Sequence, residues 1–510
     1  MPLDSTVTGG LARRRLGAGA LVFFTVSASA PMTVLAGALL ATFAVTHVVG
    51  TPLAFPILAV ALAFFAVGYA AMSRYIFNAG AFYSYIAQGL GRAWGVSGSF
   101  VALAAYNAIQ ISLYGLLGFV ATGFASVHHL FTLPWWGWAL IAWAIVGLLG
   151  IKRIDLNARV LAVLLVVEVA AVLLFDVGSV ARPAGGVISL AALNPKALFV
   201  NGIGGVFAFG VACFVGFEQA ASYGEEAKRP GVTVARATYA ALGITGVLYT
   251  VSAWALTIGT GPDQIVAQSQ DATSGIPFSL MQANFGAVVA EAANVLLATS
   301  VFAALLSFHN GVARYLYASG RERVLPTALA HTAKGPNAPI IASAIQSGLA
   351  LAIGAVFVLA HLDPLTQLFT WLSYVSAVGV LVLMLATSLA VIGFFRRQPS
   401  PTEGVWQRVV APTIAALLLL TILGVTVFNS AAVLGADKSS PLVWILPGIP
   451  VLAAVLGLLW GLVLRKARPE VYAGIGLAGD TVADGAEPIP GRQQPADRAP
   501  DDRPSGQLRV

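Results

Sequence analysis

Twelve long apolar runs constrain the fold of this chain more than any other feature of its sequence. A run of about 18 or more apolar residues is long enough to cross a bilayer as a helix. Only 10% of the residues are charged, whereas soluble domains carry about 25%. The runs predict an all-α polytopic membrane protein with twelve transmembrane helices. They cover roughly residues 17–47, 53–75, 96–126, 135–151, 157–178, 199–226, 234–260, 285–318, 339–360, 364–395, 408–434 and 441–465.

The positions of the basic residues predict how these helices are oriented. Lys and Arg gather in the cytoplasmic loops of membrane proteins. If the N-terminus lies inside, all but three of the 28 Lys and Arg residues fall on the cytoplasmic side, the exceptions being Arg182, Lys196 and Lys438. We therefore expect a multi-pass protein of the plasma (inner) membrane with both termini cytoplasmic. The alanine richness and the excess of Arg over Lys favour a bacterial source.

Two of the apolar runs carry a predicted interruption. In helix six, Gly216 stands beside Glu218, and a carboxylate in mid-membrane costs at least ~2.5 kcal/mol on insertion scales. In helix one, Pro31 removes a backbone donor, although a proline alone could simply kink the helix. The starts of helices one and six are five helices apart, an odd number. The five-helix unit that begins with helix six must therefore enter the membrane from the side opposite to the first unit. The pair therefore predicts a 5+5 inverted repeat with broken helices one and six, followed by helices eleven and twelve.

The expected organisation follows from these runs and from the polar ends of the chain. The tail contains five prolines and few large apolar residues, so it cannot bury enough surface to fold. The predicted segments are a cytoplasmic N-terminal segment (1–15), a first five-helix repeat (16–180), a second inverted repeat (197–396), helices eleven and twelve (408–466) and a disordered cytoplasmic tail (470–510).

Four stretches resemble motifs of the amino acid–polyamine–organocation (APC) permeases. They are Ser27–Gly37 in helix one, Ala79–Tyr85 after helix two, Phe214–Pro230 around the helix-six break and Asn310–Pro326 at the end of helix eight. The resemblance covers about the first 400 residues. It implies an amino acid transporter of the five-helix inverted-repeat (LeuT-like) fold. It also implies that an amino acid or related amine is held between helices one and six.

The two breaks predict where such a substrate would lie. Helix one should present backbone N–H groups that favour an anion, and helix six should release carbonyls that accept from an ammonium group. A polar stripe on helix three can line a cavity or merely join helices. The predicted substrate-binding residues are Ser27, Ala28, Ser29, Ala30 and Met32 of helix one, Tyr106, Asn107 and Gln110 of helix three, and Phe214, Val215, Gly216 and Phe217 of helix six.

Three further residues are predicted to act in coupling or gating. Glu218 could bind substrate, carry a proton or belong to an internal hydrogen-bond network. Glu168, taken as the second acid within a membrane helix, needs either a proton or a polar partner on another helix. Phe209 could close over the substrate as an aromatic lid or simply pack in the bundle. A proton is the favoured coupling ion, because only Thr299 and Ser300 suggest a sodium site.

The remaining motifs separate the possible classes of function. The sequence contains no G-x-x-x-x-G-K-[ST] run, so primary pumping by this chain is not expected. No catalytic residue, metal ligand or cofactor is predicted, and the protein is not expected to be an enzyme. We expect a secondary transporter that works by alternating access, as a proton-coupled symporter or an exchanger. The alternatives are a channel or a nutrient sensor on the same fold. The expected partners are the substrate, a coupling ion (a proton or sodium) and the lipid bilayer. No binding to nucleic acid is expected. The protein is expected to be a monomer or a homodimer.

Overall fold

The computed structural model describes residues 16–129, 131, 133–152, 154–271, 275–332, 338–398 and 402–477, with the backbone alone for 154–158 and 230. This part of the chain is almost entirely helical. Its one β contact is an isolated parallel bridge between Leu16 and Ala227. The prediction of an all-α polytopic membrane protein is confirmed.

The helices follow the predicted apolar runs. Within the described residues, eleven helices are long and apolar enough to cross a membrane, and helix four is apolar but has only 16 residues. At 1.5 Å per residue helix four is about 24 Å long, which is shorter than a hydrocarbon core of ~30 Å. The helices in order are Ala18–Thr46, Thr51–Met72, Arg92–Val127, Trp135–Gly150, Ile154–Ala181, Ile203–Glu226, Pro230–Thr260, Ala287–Arg321, Ile340–Leu359, Pro364–Arg397, Trp406–Phe428 and Leu442–Ala467.

Helix one is interrupted at Ala30. Its first segment, Ala18–Ser29, ends where Ala30 adopts a left-handed backbone conformation (φ 45°, ψ 73°). Pro31 begins the next turn, a position where its missing N–H leaves no helical hydrogen bond unmade. A π-helical turn, Val34–Ala38, precedes the last segment, Leu39–Thr46. The interruption predicted from Pro31 is therefore a break in the helix and not a simple kink.

Helix six is interrupted at Val215 and Gly216. The α-helix Ile203–Phe214 ends at Val215, which is extended, and Gly216 has φ 119°. The chain then continues as a 3₁₀-helix, Phe217–Glu226. A Cβ added to Gly216 would lie 2.6 Å from Cβ of Ala28, so the two breaks are packed directly against each other. Broken helices one and six are thus confirmed, whereas the division of the chain into two repeats stays a prediction.

The ends of the chain differ in part from the sequence prediction. Disorder is predicted from Glu470, whereas Pro469–Gly474 forms a short helix. Val471 and Ile475 are buried, and these apolar side chains give this part of the tail a packing surface that its polar composition conceals. The predicted N-terminal segment 1–15 and the tail from residue 478 lie outside the described residues.

Candidate substrate site

A cavity of about 250 Å³ lies against both helix breaks. We call the end of the bundle where helix one begins the N-terminal face, and the end near Thr46 the opposite face. The cavity runs from Ala28 to Val45 along helix one, and so extends from the breaks towards the opposite face. Its lining includes Ser29, Ala30 and Thr33 of helix one, Ile109, Leu113 and Leu116 of helix three, Ala208, Phe209, Ala212, Cys213 and Val215 of helix six, Leu297 and Phe308 of helix eight, and Thr370, Ser373, Tyr374 and Ala377 of helix ten.

The walls of this cavity are apolar and uncharged. None of the described residues that line the cavity has a charged side chain. The polar groups of the cavity are hydroxyls and backbone groups. An ion with net charge would therefore find no side-chain counterion there. A zwitterion with an apolar side chain would match the walls, because its two charges cancel and backbone dipoles can meet each of them.

The predicted binding residues divide into two groups. Five of the predicted residues line the cavity: Ala28, Ser29, Ala30, Val215 and Phe209. The others lie behind its walls: Ser27, Met32, Phe214, Gly216, Phe217, Tyr106, Asn107, Gln110, Glu218 and Glu168. The carbonyl of Val215 accepts no hydrogen bond from a described residue. Phe209 forms part of the cavity wall and packs against an apolar cluster that includes Tyr374.

Glu168 engages the backbone of helix one directly after the break. The N–H of Met32 donates to Glu168 Oε1 at 2.7 Å, and Ser300 Oγ donates to the same oxygen at 2.6 Å. The N–H of Thr33 lies 3.3 Å from Ser300 Oγ. Glu168 is 1% exposed. A carboxyl group of the protein itself thus occupies the position at which the sequence predicts a substrate carboxylate.

Glu218 forms hydrogen bonds that stabilise the break in helix six. Tyr106 donates its hydroxyl to Glu218 Oε1 at 2.6 Å, and the N–H of Gly216 donates to Oε2 at 2.9 Å. The carbonyl of Glu218 accepts from the hydroxyl of Tyr69 at 2.8 Å. Of the three roles considered for Glu218, the contacts match the internal hydrogen-bond network.

The polar stripe on helix three joins helices in this structure. Gln110 accepts from Gln346 of helix nine at 2.7 Å and donates to Tyr114 at 3.1 Å. Asn107 donates to the carbonyl of Leu103 within its own helix at 2.7 Å. Together with the bond from Tyr106 to helix six, these contacts favour the joining role over a cavity lining.

The N-terminal face is closed by two ion pairs between helices six and eight. Arg314 makes two hydrogen bonds to Glu226, of 2.6 and 3.0 Å, and both side chains are buried. Arg321 makes two to Glu225, of 2.7 and 2.6 Å, at a half-buried position. Both pairs seal the bundle on the side away from the cavity.

The start and the end of the described chain join this closure. Leu16 donates its N–H to the carbonyl of Glu226 at 2.9 Å and accepts from the N–H of Lys228 at 2.8 Å. Beyond helix twelve, the N–H of Gly476 donates to Glu322 at 2.7 Å. Tyr83 of the Phe82–Gly89 helix hydrogen-bonds the same carboxylate. Segments far apart in sequence are thus tied to one face.

The sequence prediction did not include Asp176, a buried acid within a membrane helix. Asp176 lies in helix five, is 4% exposed and accepts a hydrogen bond from Ser252 of helix seven at 3.0 Å. Glu168 and Glu218 are therefore not the only acids inside the membrane helices. The signal was available, because Asp176 falls within the apolar run predicted for helix five. Among the described residues, no group of three or more His, Cys, Asp or Glu side chains could hold a metal ion.

A helical membrane bundle whose first and sixth helices break beside a cavity has the architecture of a permease. The chain belongs to the amino acid permease family, whose model matches residues 16–452, so the resemblance to the APC permeases is confirmed. It is similar to the branched-chain amino acid permease BcaP of Lactococcus lactis subsp. cremoris (strain MG1363), with 27% identity over 378 residues that cover 68% of this chain and 75% of the other. Family membership supports amino acid transport, and it indicates a multi-pass membrane transporter rather than an enzyme.

Proposed function

We propose that this permease is a secondary active transporter of amino acids with apolar side chains, working by alternating access and driven by protons. The observation that carries the proposal is the uncharged cavity at the meeting point of the two helix breaks. Such walls disfavour basic and acidic amino acids, because a charged side chain would be desolvated there without a counterion. The similarity to a protein named as a branched-chain amino acid permease supports the same substrate class.

The closed face and the cavity support alternating access. With the N-terminus in the cytoplasm, as the basic residues predict, the cavity belongs to an outward-facing state. Release of substrate to the cytoplasm then requires helices six and eight to part, which separates Arg314 from Glu226 and Arg321 from Glu225. We place the protein in the plasma (inner) membrane of a bacterium with both termini cytoplasmic, as a monomer or homodimer.

Contacts around helix eight favour a proton over sodium as the coupling ion. The Ser300 hydroxyl is engaged by Glu168 and Thr33, and the Thr299 hydroxyl donates to the carbonyl of Leu296 at 3.0 Å. The Ser300 oxygen also accepts from the N–H of Thr33, so it is less available to a sodium ion. Glu168 is the group we assign to proton binding, because its carboxyl contacts the backbone of helix one directly after the break.

Counterflow in proteoliposomes tests the substrate class. Vesicles loaded with unlabelled leucine should accumulate labelled leucine, and isoleucine or valine inside should substitute for it. Lysine and glutamate inside should not. Equal counterflow with lysine or glutamate, or none with any apolar amino acid, would refute the proposal.

The single cysteine tests the position of the site. Cys213 lines the cavity but is buried, so a small maleimide should block counterflow slowly, and leucine present during labelling should slow the block further. The Cys213→Ala variant, whatever its residual rate, should be insensitive to the reagent. Block without protection by any transported amino acid would place the substrate elsewhere.

A further inference from the structure

Asp176 is a buried carboxyl whose contacts leave its protonation state open. One oxygen, Oδ2, accepts from the Ser252 hydroxyl at 3.0 Å, and Oδ1 has no hydrogen-bond partner among the described residues. A carboxyl group inside a membrane protein is costly, and such groups are usually functional. A single hydroxyl donor can accompany either the protonated or the ionised form. Asp176 is therefore able to take up and release a proton without breaking an ion pair.

The charged and titratable groups on the neighbouring helices either contact other residues or lie far from Asp176. On helix eight, Glu291 contacts His128, His309 contacts Ser343 and Arg314 is paired with Glu226. On helix seven, Tyr249 donates to the carbonyl of Ser29, while Arg236 and Tyr239 lie near the helix's other end. The packed segments Ile276–Phe285, Ala18–Ser29 and Pro31–Thr33 contain no such group.

The same holds on the helix that carries Asp176. Arg182 donates to the carbonyls of Ala283 and Asn284 at 3.3 and 3.2 Å. Glu168 is bonded to Met32 and Ser300. Arg159, on the same helix, is exposed and lies 17 residues before Asp176, about 25 Å along the helix. Among the described residues, the one hydrogen bond to Asp176 comes from Ser252 and none comes from a basic side chain.

Two hydroxyl groups of helix seven contact Asp176 and the residue before the helix-one break. Asp176 follows Glu168 by eight residues in one helix, a rise of about 12 Å. Ser252 and Tyr249 are three residues apart, so they share a face of helix seven. Ser252 contacts Asp176, and Tyr249 contacts Ser29, which precedes the break. Helix seven therefore presents one hydroxyl at Asp176 and another at Ser29, three residues before Met32, whose N–H donates to Glu168.

Beyond Asp176, hydroxyls without described partners continue towards the opposite face. Ser179 Oγ and Thr260 Oγ1 are buried and have no hydrogen-bond partner among the described residues. Ser179 Oγ lies 3.0 Å from the Cβ position of Gly259, the neighbour of Thr260, so both belong to the contact between helices five and seven. Buried polar groups of this kind are commonly satisfied by water. This contact is where water could reach Asp176.

We propose that Asp176 is a second proton-exchanging carboxyl of the transport cycle, which takes a proton from the opposite face and passes it to Glu168. The proton leaves the carboxylic acid of Asp176 and protonates the Glu168 carboxylate, through the hydroxyls of Ser252 and Tyr249 and intervening water. Asp176 is then ionised and is reprotonated from water at the opposite face. This inference rests on the proposed function.

The test compares two measurements on reconstituted full-length protein. Counterflow of leucine requires no net proton movement, whereas uptake driven by a pH gradient does. Asp176→Asn should lower gradient-driven uptake at least ~10-fold while counterflow changes less than ~2-fold, because Asp176 does not line the cavity. Asp176→Glu should restore uptake, and leucine-driven alkalinisation outside the vesicles should fall in parallel with the loss.

Controls separate this inference from the proposed function and from misfolding. Asp263→Asn removes an exposed acid after helix seven and should change neither measurement. Gradient-driven uptake at the wild-type level in Asp176→Asn would overturn the inference, as would an equal loss of counterflow and uptake. Absence of counterflow in the wild type would instead refute the proposed function.

Discussion

The two faces of the bundle are held by opposite kinds of interaction. Towards the opposite face lies a cavity with uncharged walls, whereas the N-terminal face is closed by buried and half-buried ion pairs. Apolar walls can separate or close by degrees, since their attraction is non-directional. A buried ion pair opposes partial separation, because each charge left alone in the interior is strongly destabilising. For the proposed alternating access we therefore expect the N-terminal face to open as a unit, while the cavity side adapts to its ligand.

The largest expected effect comes from breaking the most buried pair on the closed face. Arg314→Gln leaves Glu226 buried without its partner, which should destabilise the protein by about 3–5 kcal/mol. Thermal unfolding in detergent should show the loss, and leucine counterflow should fall with it. Arg321→Gln is the matched control: its side chain is 17% and that of Glu225 15% exposed, so the loss should be smaller. Equal losses for the two variants would contradict the comparison.

The next effect acts where the breaks meet. Gly216→Ala forces a side chain onto a backbone with φ 119° and to within 2.6 Å of Cβ of Ala28. Backbone strain of this kind costs about 1–3 kcal/mol, and the clash should move the two breaks apart. We expect loss of counterflow with the protein still folded.

Gly243→Ala is the matched control for this variant. Gly243 lies in helix seven with nothing within 4 Å of its Cβ position. Alanine there should be neutral or stabilising by up to ~1 kcal/mol. Similar counterflow rates in the two alanine variants would show that close contact of the breaks is not required.

A smaller effect is expected from the network behind the cavity. Tyr106→Phe removes the 2.6 Å hydrogen bond to Glu218 and keeps the ring. The lost bond should cost about 1–2 kcal/mol and loosen the break in helix six. Leucine affinity, measured by thermal shift, should weaken by up to about ten-fold, since 1.4 kcal/mol corresponds to that factor. If the leucine affinity is unchanged, the hydrogen bond between Tyr106 and Glu218 contributes to folding and not to substrate binding.

The smallest effect concerns the segment after helix twelve. Gly476→Ala strains a backbone with φ 80° and brings a methyl group within 2.9 Å of Cβ of Ala87. Its hydrogen bond to Glu322 should weaken, at a cost of about 1 kcal/mol. We expect faster counterflow, because one tie across the closed face is loosened. Gly474→Ala, with nothing within 4 Å of its Cβ position, should match the wild type. Equal counterflow rates for the wild type and both alanine variants would show that this segment does not affect the opening of the N-terminal face.

The helix breaks were predictable because their causes are local. Pro31 and Gly216 alter the backbone at or next to their own positions, and both breaks lie within one residue of them. The cavity lining at Ala28–Ala30 follows, because small residues beside a break leave space. The start of helix three was harder to predict. The structure begins this helix at Arg92, four residues before the predicted start, since Arg92 and Trp94 are tolerated at a membrane surface.

The partners of the polar groups were not predictable from the sequence. Met32 and Glu168 are 136 positions apart, and nothing in either helix indicates that they meet. A substrate carboxylate and a protein carboxylate satisfy the same N–H group, so local reasoning could not choose between them. Asp176 was overlooked for a different reason, because it lies near the predicted end of an apolar run, where a charged group is usually solvated.

The pairing of Leu16 with helix six has a consequence for the segment before helix one. Its two backbone hydrogen bonds, to Glu226 and Lys228, run alongside the Arg314–Glu226 pair. If helix six moves away from helix eight, the segment at Leu16 must either move with helix six or lose its two hydrogen bonds. A covalent cross-link between residues 16 and 227 would therefore leave substrate binding intact and favour the conformation in which these two hydrogen bonds are formed.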